Sequence, residues 1–264
     1  MPDPITLIAL AAGRSTRFGR PKQQEPVGPH GETIPEITIG QALRAGCHRV
    51  RLVTSPALAD AMRQQFAAEP RVEVCVQEEA RGTAHAAMVG MDGAAGTCIV
   101  VNGDDLYGRD GLQAATAHAL AGDPLENALV AYALGRTLSP NGPVNRAVCE
   151  AGDGLLRGTR EVLGLVADGP GRARDGAGNT YTTDVPVSMN LWVFRPAFVN
   201  ALRGAWQDRA ATDRSEFGLP DAVRHAIGQG QAFRLLQTGA AWHGLTFPED
   251  AARVREHLAR TDEP

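Results

Sequence analysis

The first half of the chain alternates short, wholly apolar runs with amphipathic stretches, and few folds tolerate that alternation. Ile5–Ala11, Val50–Thr54, Val72–Val76 and Cys98–Asn102 are the apolar runs. Strands covered on both faces read this way, because neither set of alternating side chains meets water. Between them, Ile39, Ala42 and Leu43 recur at helical spacing up to Gly46, a C-terminal stop. Ser55 and Pro56 open the next helix as N-cap and first turn, and Leu58, Met62 and Phe66 then repeat at every fourth position as a core stripe. Thr83–Met91 reads as a helix entered from a Gly-Thr turn. The expectation is βαβαβαβ, an α/β fold.

Beyond this point, Gly152–Asn179 is rich in Gly, Arg and Asp, which predicts exposed loops around a short Val162–Val166 strand and the start of a lid or substrate subdomain. Val187–Phe194 returns to strand character. Val254 and Leu258 mark a terminal helix, followed by a frayed end. A length of 264 residues suits one domain, or one domain with a subdomain.

Composition narrows the functional classes. With 43% hydrophobic and 21% charged residues, disorder and fibrous structure are excluded. Lys plus Arg at 26 against Asp plus Glu at 30 leaves a net charge of -4, which argues against nucleic-acid binding but not against a small basic site. No stretch reaches the roughly 18 apolar residues of a membrane span. The N-terminal apolar run lacks a basic leader, so the expectation is a cytoplasmic protein with no membrane partner. Cys47, Cys75, Cys98 and Cys149 lie far apart without ligand spacing and read as reduced packing residues.

The first strand empties into Ala11-Ala12-Gly13-Arg14-Ser15-Thr16-Arg17-Phe18-Gly19, followed by Arg20-Pro21-Lys22-Gln23. Small residues let the backbone approach a ligand, loop amides can face phosphate oxygens, and Arg14, Arg17 and Lys22 supply positive charge. The ending of a Walker loop and the G-x-G-x-x-G fingerprint are both missing. Two readings stand here, a triphosphate loop or an ordinary turn. Asn102-Gly103-Asp104-Asp105 closes a later strand. Adjacent carboxylates at a strand end suit Mg²⁺ shared with phosphates, and they equally suit an acidic turn before a helix at Gly111.

Taken in series, Leu10-Ala11-Ala12-Gly13 with Thr16-Arg17 and Lys22, then Gln77 five residues before Gly82-Thr83-Ala84-His85-Ala86, then Gly103-Asp104, then Val187-Ser188-Met189-Asn190 resemble the sugar nucleotidylyltransferases, or NDP-sugar pyrophosphorylases. The order and spacing match along most of the chain. The resemblance implies a single GT-A-like (Rossmann-like) α/β/α domain with a mainly parallel mixed sheet and a small substrate-binding subdomain. Residues 1–135 would form its nucleotide-binding half, and residues 136–264 the sugar-phosphate half with the C-terminal helix. It further implies Mg²⁺-dependent transfer of a nucleotide from an NTP to a sugar 1-phosphate, and it leaves a homo-oligomer open.

Carried over by motif, Arg17 clamps the triphosphate, Lys22 bridges the attacking phosphate and the α-phosphate, and Asp104 holds Mg²⁺; beside it either Asp105 serves as a second ligand through water or Asp104 and the substrate phosphates hold the ion between them. Leu10, Ala12, Gly13, Arg14, Gln77, Gly82 and Thr83 form the nucleotide site, with Gln77 on the base. Asn190 contacts an acceptor hydroxyl. Arg160 and Glu161, in the neighbourhood of the family's mid-chain sugar-site residues, are either acceptor contacts or a solvated strand edge, and Trp192, two residues from Asn190, either stacks on a sugar or a quaternary amine or is a core residue. Arg146 is either a phosphate contact or a turn residue. Relatives carry a second acidic metal ligand where this chain has Thr246, and His243 is a poor substitute for Mg²⁺. His85 reads as a hydrogen-bonded packing residue, since the chemistry needs no proton shuttle. The rivals are a cytidylyltransferase for phosphocholine or another small phosphorylated alcohol, and a nucleotide-binding regulatory domain without catalysis.

Overall fold

In the computed structural model, residues 3–13, 22–210, 215–245 and 248–261 are described. The chain runs β1 (Ile5–Leu10), α1 (Ile34–Ala45), β2 (Arg49–Thr54), α2 (Ala59–Gln65), β3 (Val72–Val76), α3 (Thr83–Met91), β4 (Thr97–Asn102), β5 (Asp105–Leu106), α4 (Gly108–Ala121) and β6 (Asn127–Ala133). It continues through β7 (Val144–Gly152), β8 (Leu155–Ala167), β9 (Arg172–Arg174), β10 (Thr180–Thr182), β11 (Pro186–Phe194), α5 (Pro196–Ala210), α6 (Leu219–Gly228), β12 (Phe233–Gln237), β13 (His243–Gly244) and α7 (Asp250–Arg260). One mixed sheet has the order β10-β9-β8-β12-β6-β11-β4-β1-β2-β3. Strands β3, β2, β1 and β4 are parallel, β12 is parallel to β6, and β11 runs antiparallel between β4 and β6. The ribbon of β5 and β13 stands apart.

The apolar runs are continuous because both sheet faces are covered. Ile5, Leu7 and Ala9 of β1 join the core under α1, α2 and α4, with Ile39, Met62, Leu112 and Ala115. Ile8 and Leu10 join the opposite core under α3, α5 and α6, with Ala87, Phe198, Leu202 and Val223. Strand β4 alternates in the same way, Ile99 and Val101 on one side, Cys98 and Val100 on the other. The result is the expected α/β/α sandwich. A third cluster of Val27, Ile34, Ile37, Leu106, Leu245, Val254 and Leu258 docks α7, and a 2.8 Å ion pair from Arg255 to the buried Glu25 reinforces it.

Local signals explain the element ends. Thr33 and Glu36 form a capping box on α1, and Gly46 ends it at φ 115°. Ser55 makes no side-chain cap. The stretch after it is a 3-10 turn over Pro56–Leu58 before the short α2, although Met62 and Phe66 are buried as expected. All four cysteines are free and buried. No described helix is long and apolar enough to cross a membrane.

The strand expected over Val162–Val166 is longer than its sequence signal, running as β8 from Leu155 to Ala167, and β9 adds Arg172–Arg174, so the loops of residues 152–179 shrink to the turns between strands. Strands β7 and β8 form a long hairpin turning at Asp153 and Gly154, both at positive φ (55° and 73°). That geometry belongs to tight hairpin turns, and Asp-Gly is its sequence signal. The strands were hidden because register shifts between Val144 and Arg146 and between Glu150 and Ala151 break the alternation of two.

Arg195 joins several elements. Only 4% exposed, it donates to the carbonyls of His118 and Ala119 at the end of α4, to the Glu126 carbonyl before β6, and to Thr97 Oγ1 of β4. A guanidinium there adds donors to carbonyls at a helix C-terminus, where the peptide dipoles leave negative charge. Arg195→Ala would remove four hydrogen bonds of a buried side chain and is expected to destabilise the fold by about 3 kcal/mol. Urea unfolding measures this; a midpoint equal to wild type would contradict it.

Candidate active site

Ligands of open α/β sheets bind beyond the carboxyl ends of the strands where the winding reverses. Strand β1 has β2 on one side and β4 on the other, so the reversal lies at its end. There a cavity of about 520 Å³ is lined by Leu10 at the end of β1 with Ala12 and Gly13 after it, Gln77 after β3, Gly82 and Thr83 at the start of α3, Asn102 at the end of β4 with Asp104 after it, Asn190 of β11, and Lys22. Nine residues expected at the site therefore meet in one place: Leu10, Ala12, Gly13, Lys22, Gln77, Gly82, Thr83, Asp104 and Asn190. Arg14, Arg17 and Thr246 lie outside the described residues.

Lys22 and Asp104 form a close ion pair, with side chains about a fifth exposed. Lys22 Nζ also donates to the Leu245 carbonyl at 3.1 Å. Partial burial weakens solvent screening, so both charges act strongly on whatever enters. Gln23, fully buried, donates to the carbonyls of Ala11 (3.2 Å) and Gly13 (3.5 Å), fixing the start of the loop. Gly103 donates to the Leu10 carbonyl at 2.7 Å. A Cβ there would sit 2.9 Å from that of Ala11, so only glycine lets the two strand ends approach.

Asn190 is held at φ 62°, where β11 shifts register between Ser188 and Trp192. Asparagine tolerates the left-handed region better than other side chains with a Cβ, and strain of this kind collects at functional sites. Its carboxamide donates to Asn102 Oδ1 at 3.4 Å and accepts from Trp192 Nε1 at 3.1 Å.

Three expectations are corrected. Trp192 is completely buried, packed with Phe194 and Phe233, so its ring offers no face to an acceptor and its indole N–H orients Asn190 instead. Glu161 is exposed on β8 and does not line the cavity. Asp105 is turned into the protein, where Asn102 Nδ2 donates to its Oδ2 at 2.8 Å and the Tyr107 hydroxyl lies 3.4 Å away. Burial, reinforced by the Asp104 charge, pushes the Asp105 carboxyl up to about 8. The carboxyl faces Asn102 and Tyr107 and does not line the cavity. Arg146 is half-buried, with its guanidinium over the Trp242 ring and hydrogen-bonded to the Asn145 and Thr137 carbonyls. Burial brings it down to about 10. His243, held down to about 4 by burial, lies against His257 with the rings tilted by 39°, away from the cavity.

Glu216 and Gly218 also line the cavity. They arrive from a distant part of the chain, and no local motif signals them. Phe217 N donates to the Arg81 carbonyl, Ala84 N to the Phe217 carbonyl, and Leu219 N to Thr83 Oγ1. The contact requires Gly82 at φ 94°, where a Cβ would fall 2.3 Å from the Phe217 carbonyl oxygen. Gly82→Ala is expected to cost about 1–3 kcal/mol and to shrink the thermal shift caused by nucleotide. Thermal unfolding with and without NTP measures both; wild-type values would contradict the close packing.

A model of the MobA-like NTP transferase domain matches residues 7–213. The chain belongs to that family. No curated protein matches it significantly. Among solved structures, the inositol-1-phosphate CTP transferase from T. maritima superposes with a TM-score of 0.71 at 14% identity, over 97% of this chain and 95% of that one. A putative glucose-1-phosphate thymidylyltransferase from Bacillus anthracis, in complex with a sucrose, gives 0.73 at 11% identity, over 98% and 96%. These likenesses carry the fold, and family membership makes the chain a nucleotidyltransferase of the NTP-transferase type.

Proposed function

We propose that the cavity performs Mg²⁺-dependent transfer of a nucleotide from an NTP to a sugar 1-phosphate, giving an NDP-sugar and pyrophosphate. The observation that carries this reading is the Lys22–Asp104 pair set between the small-residue loop after β1 and the strand end of β4. A phosphate oxygen of the acceptor attacks the α-phosphorus, and the bond to pyrophosphate breaks. Both partners are anions, so the protein's work is alignment and charge neutralisation, with no side-chain nucleophile. Lys22 neutralises the phosphates as they meet. Backbone groups of Ala12 and Gly13 face the nucleotide, Gln77 hydrogen-bonds the base, and Asn190 contacts an acceptor hydroxyl.

The donor set fits Mg²⁺ held in one particular way. Asp104 is the one carboxylate among the expected metal ligands that lines the cavity, and no described cluster of three His, Cys, Asp or Glu gathers anywhere. Mg²⁺ takes few protein ligands and draws the rest from phosphates and water. Asp104 would hold it, and the ion would add positive charge at the triphosphate.

A sugar or polyol 1-phosphate is favoured over phosphocholine because the described cavity lining contains no aromatic side chain to cage a quaternary amine. Of the two fold neighbours, one is named for glucose-1-phosphate, a sugar 1-phosphate, and the other for CTP and inositol-1-phosphate, a phosphorylated alcohol of the rival class that likewise carries no quaternary amine. Calorimetric titration of NTP with and without Mg²⁺ tests the reading at the level of binding. Tighter binding with the ion, weakened by Lys22→Ala, is expected; no binding under either condition would contradict it.

A further inference from the structure

The base end of the cavity depends on a residue with no catalytic part. His85 Nδ1, on α3, lies 3.0 Å from Gln77 Nε2, and that same Nε2 lies 3.4 Å from the Gly82 carbonyl oxygen. A backbone carbonyl only accepts, so the atom facing Gly82 is the amide nitrogen and not the amide oxygen. An amide nitrogen only donates, so Nδ1 must carry a lone pair, and the ring is the neutral Nε2–H tautomer. Both amide protons of Gln77 are then spent on protein, and Oε1 is the atom left to meet a ligand.

The ring is held in turn. It stacks on Trp206 of α5, with 4.4 Å between centroids and 14° between planes, and the Arg81 guanidinium lies 4.5 Å from the same Trp206 ring.

We infer that His85 is a positioning residue for base selection, pinning the Gln77 amide so that the cavity reads the base through an acceptor oxygen, an inference that rests on the cavity being the nucleotide site. Cytosine and uracil exchange donor and acceptor on their pairing edges, and so do guanine and adenine. A pinned acceptor therefore separates the members of whichever pair fits the cavity, whereas a freely turning amide adapts to either. Charging the ring undoes the arrangement. Nδ1–H would then oppose Nε2–H, the amide would turn, and its oxygen would face the Gly82 carbonyl. Burial, followed by the Arg81 charge, holds His85 below the ordinary imidazole value, against the opposing Glu79 backbone bond and Glu79 charge. The neutral, pinning form is thus the one present near neutral pH.

The test is calorimetric affinity for ATP, CTP, GTP and UTP with Mg²⁺, for wild type, His85→Leu and His85→Asn, between about pH 5 and pH 8. Within the preferred pair, the wild-type ratio at the upper pH is expected to be about tenfold or more. It should fall severalfold toward the acid end, and in His85→Leu at every pH. It should recover in His85→Asn, whose side-chain oxygen accepts from Gln77 as Nδ1 does. A ratio indifferent to pH and to His85→Leu overturns the inference while leaving the nucleotide site in place. Failure of all four nucleotides to bind wild type overturns the nucleotide site, and the inference with it. Should His85→Leu fail to fold, the wild-type pH series decides alone.

Discussion

Lys22→Ala is expected to lower turnover about a thousandfold with little change in thermal stability. The lysine sits on a 3-10 turn at the mouth of the cavity, and its ammonium is spent on Asp104 and the Leu245 carbonyl and not on core packing. Fold stability therefore depends little on it. The proposed reaction needs it, because two phosphate groups must come within bonding distance and repel each other until a cation intervenes. That repulsion peaks in the transition state, so kcat should fall further than the KM for NTP rises. Lys22→Arg should restore little, since a planar fork does not reproduce a compact point charge between two phosphates. Steady-state kinetics measure the split, and a loss of less than about tenfold would contradict the role.

Asp104→Asn is expected to produce two effects of opposite sign. Turnover should fall by a factor of about 10² to 10³, because the group that would hold Mg²⁺ loses its charge. Binding of NTP without Mg²⁺ should instead tighten, because removing a carboxylate beside Lys22 leaves the cavity more positive. A residue of purely structural importance would weaken both. Calorimetry without metal, set beside turnover with it, separates the two cases; weaker metal-free binding would contradict the assignment.

Much of this site was legible in the sequence for a physical reason. In a parallel sheet the chemistry sits where strands end, and the apolar runs ending at Leu10, Val76 and Asn102 placed their following residues at one edge. Spacing failed where geometry departs from its ideal period. Two residues along a regular strand share a face, which put Trp192 beside Asn190 in the acceptor site. The left-handed Asn190 and the register shift around it send the indole into the core instead. Adjacency misled at Asp105, where a two-stranded pairing with Gly244 fixes the backbone and the carboxyl turns toward Asn102 and Tyr107. Glu216 reaches the cavity through tertiary packing of Phe217 against Gly82, which no local pattern encodes.

The most direct measurement is pyrophosphate release with Mg²⁺ over a grid of NTPs against sugar 1-phosphates, inositol 1-phosphate and phosphocholine, with Asp104→Asn run in parallel. The account predicts release that requires both an NTP and a sugar or polyol 1-phosphate and that nearly vanishes in the variant. Release with phosphocholine alone would contradict the acceptor class, and nucleotide binding without release across the whole grid would contradict catalysis at this cavity.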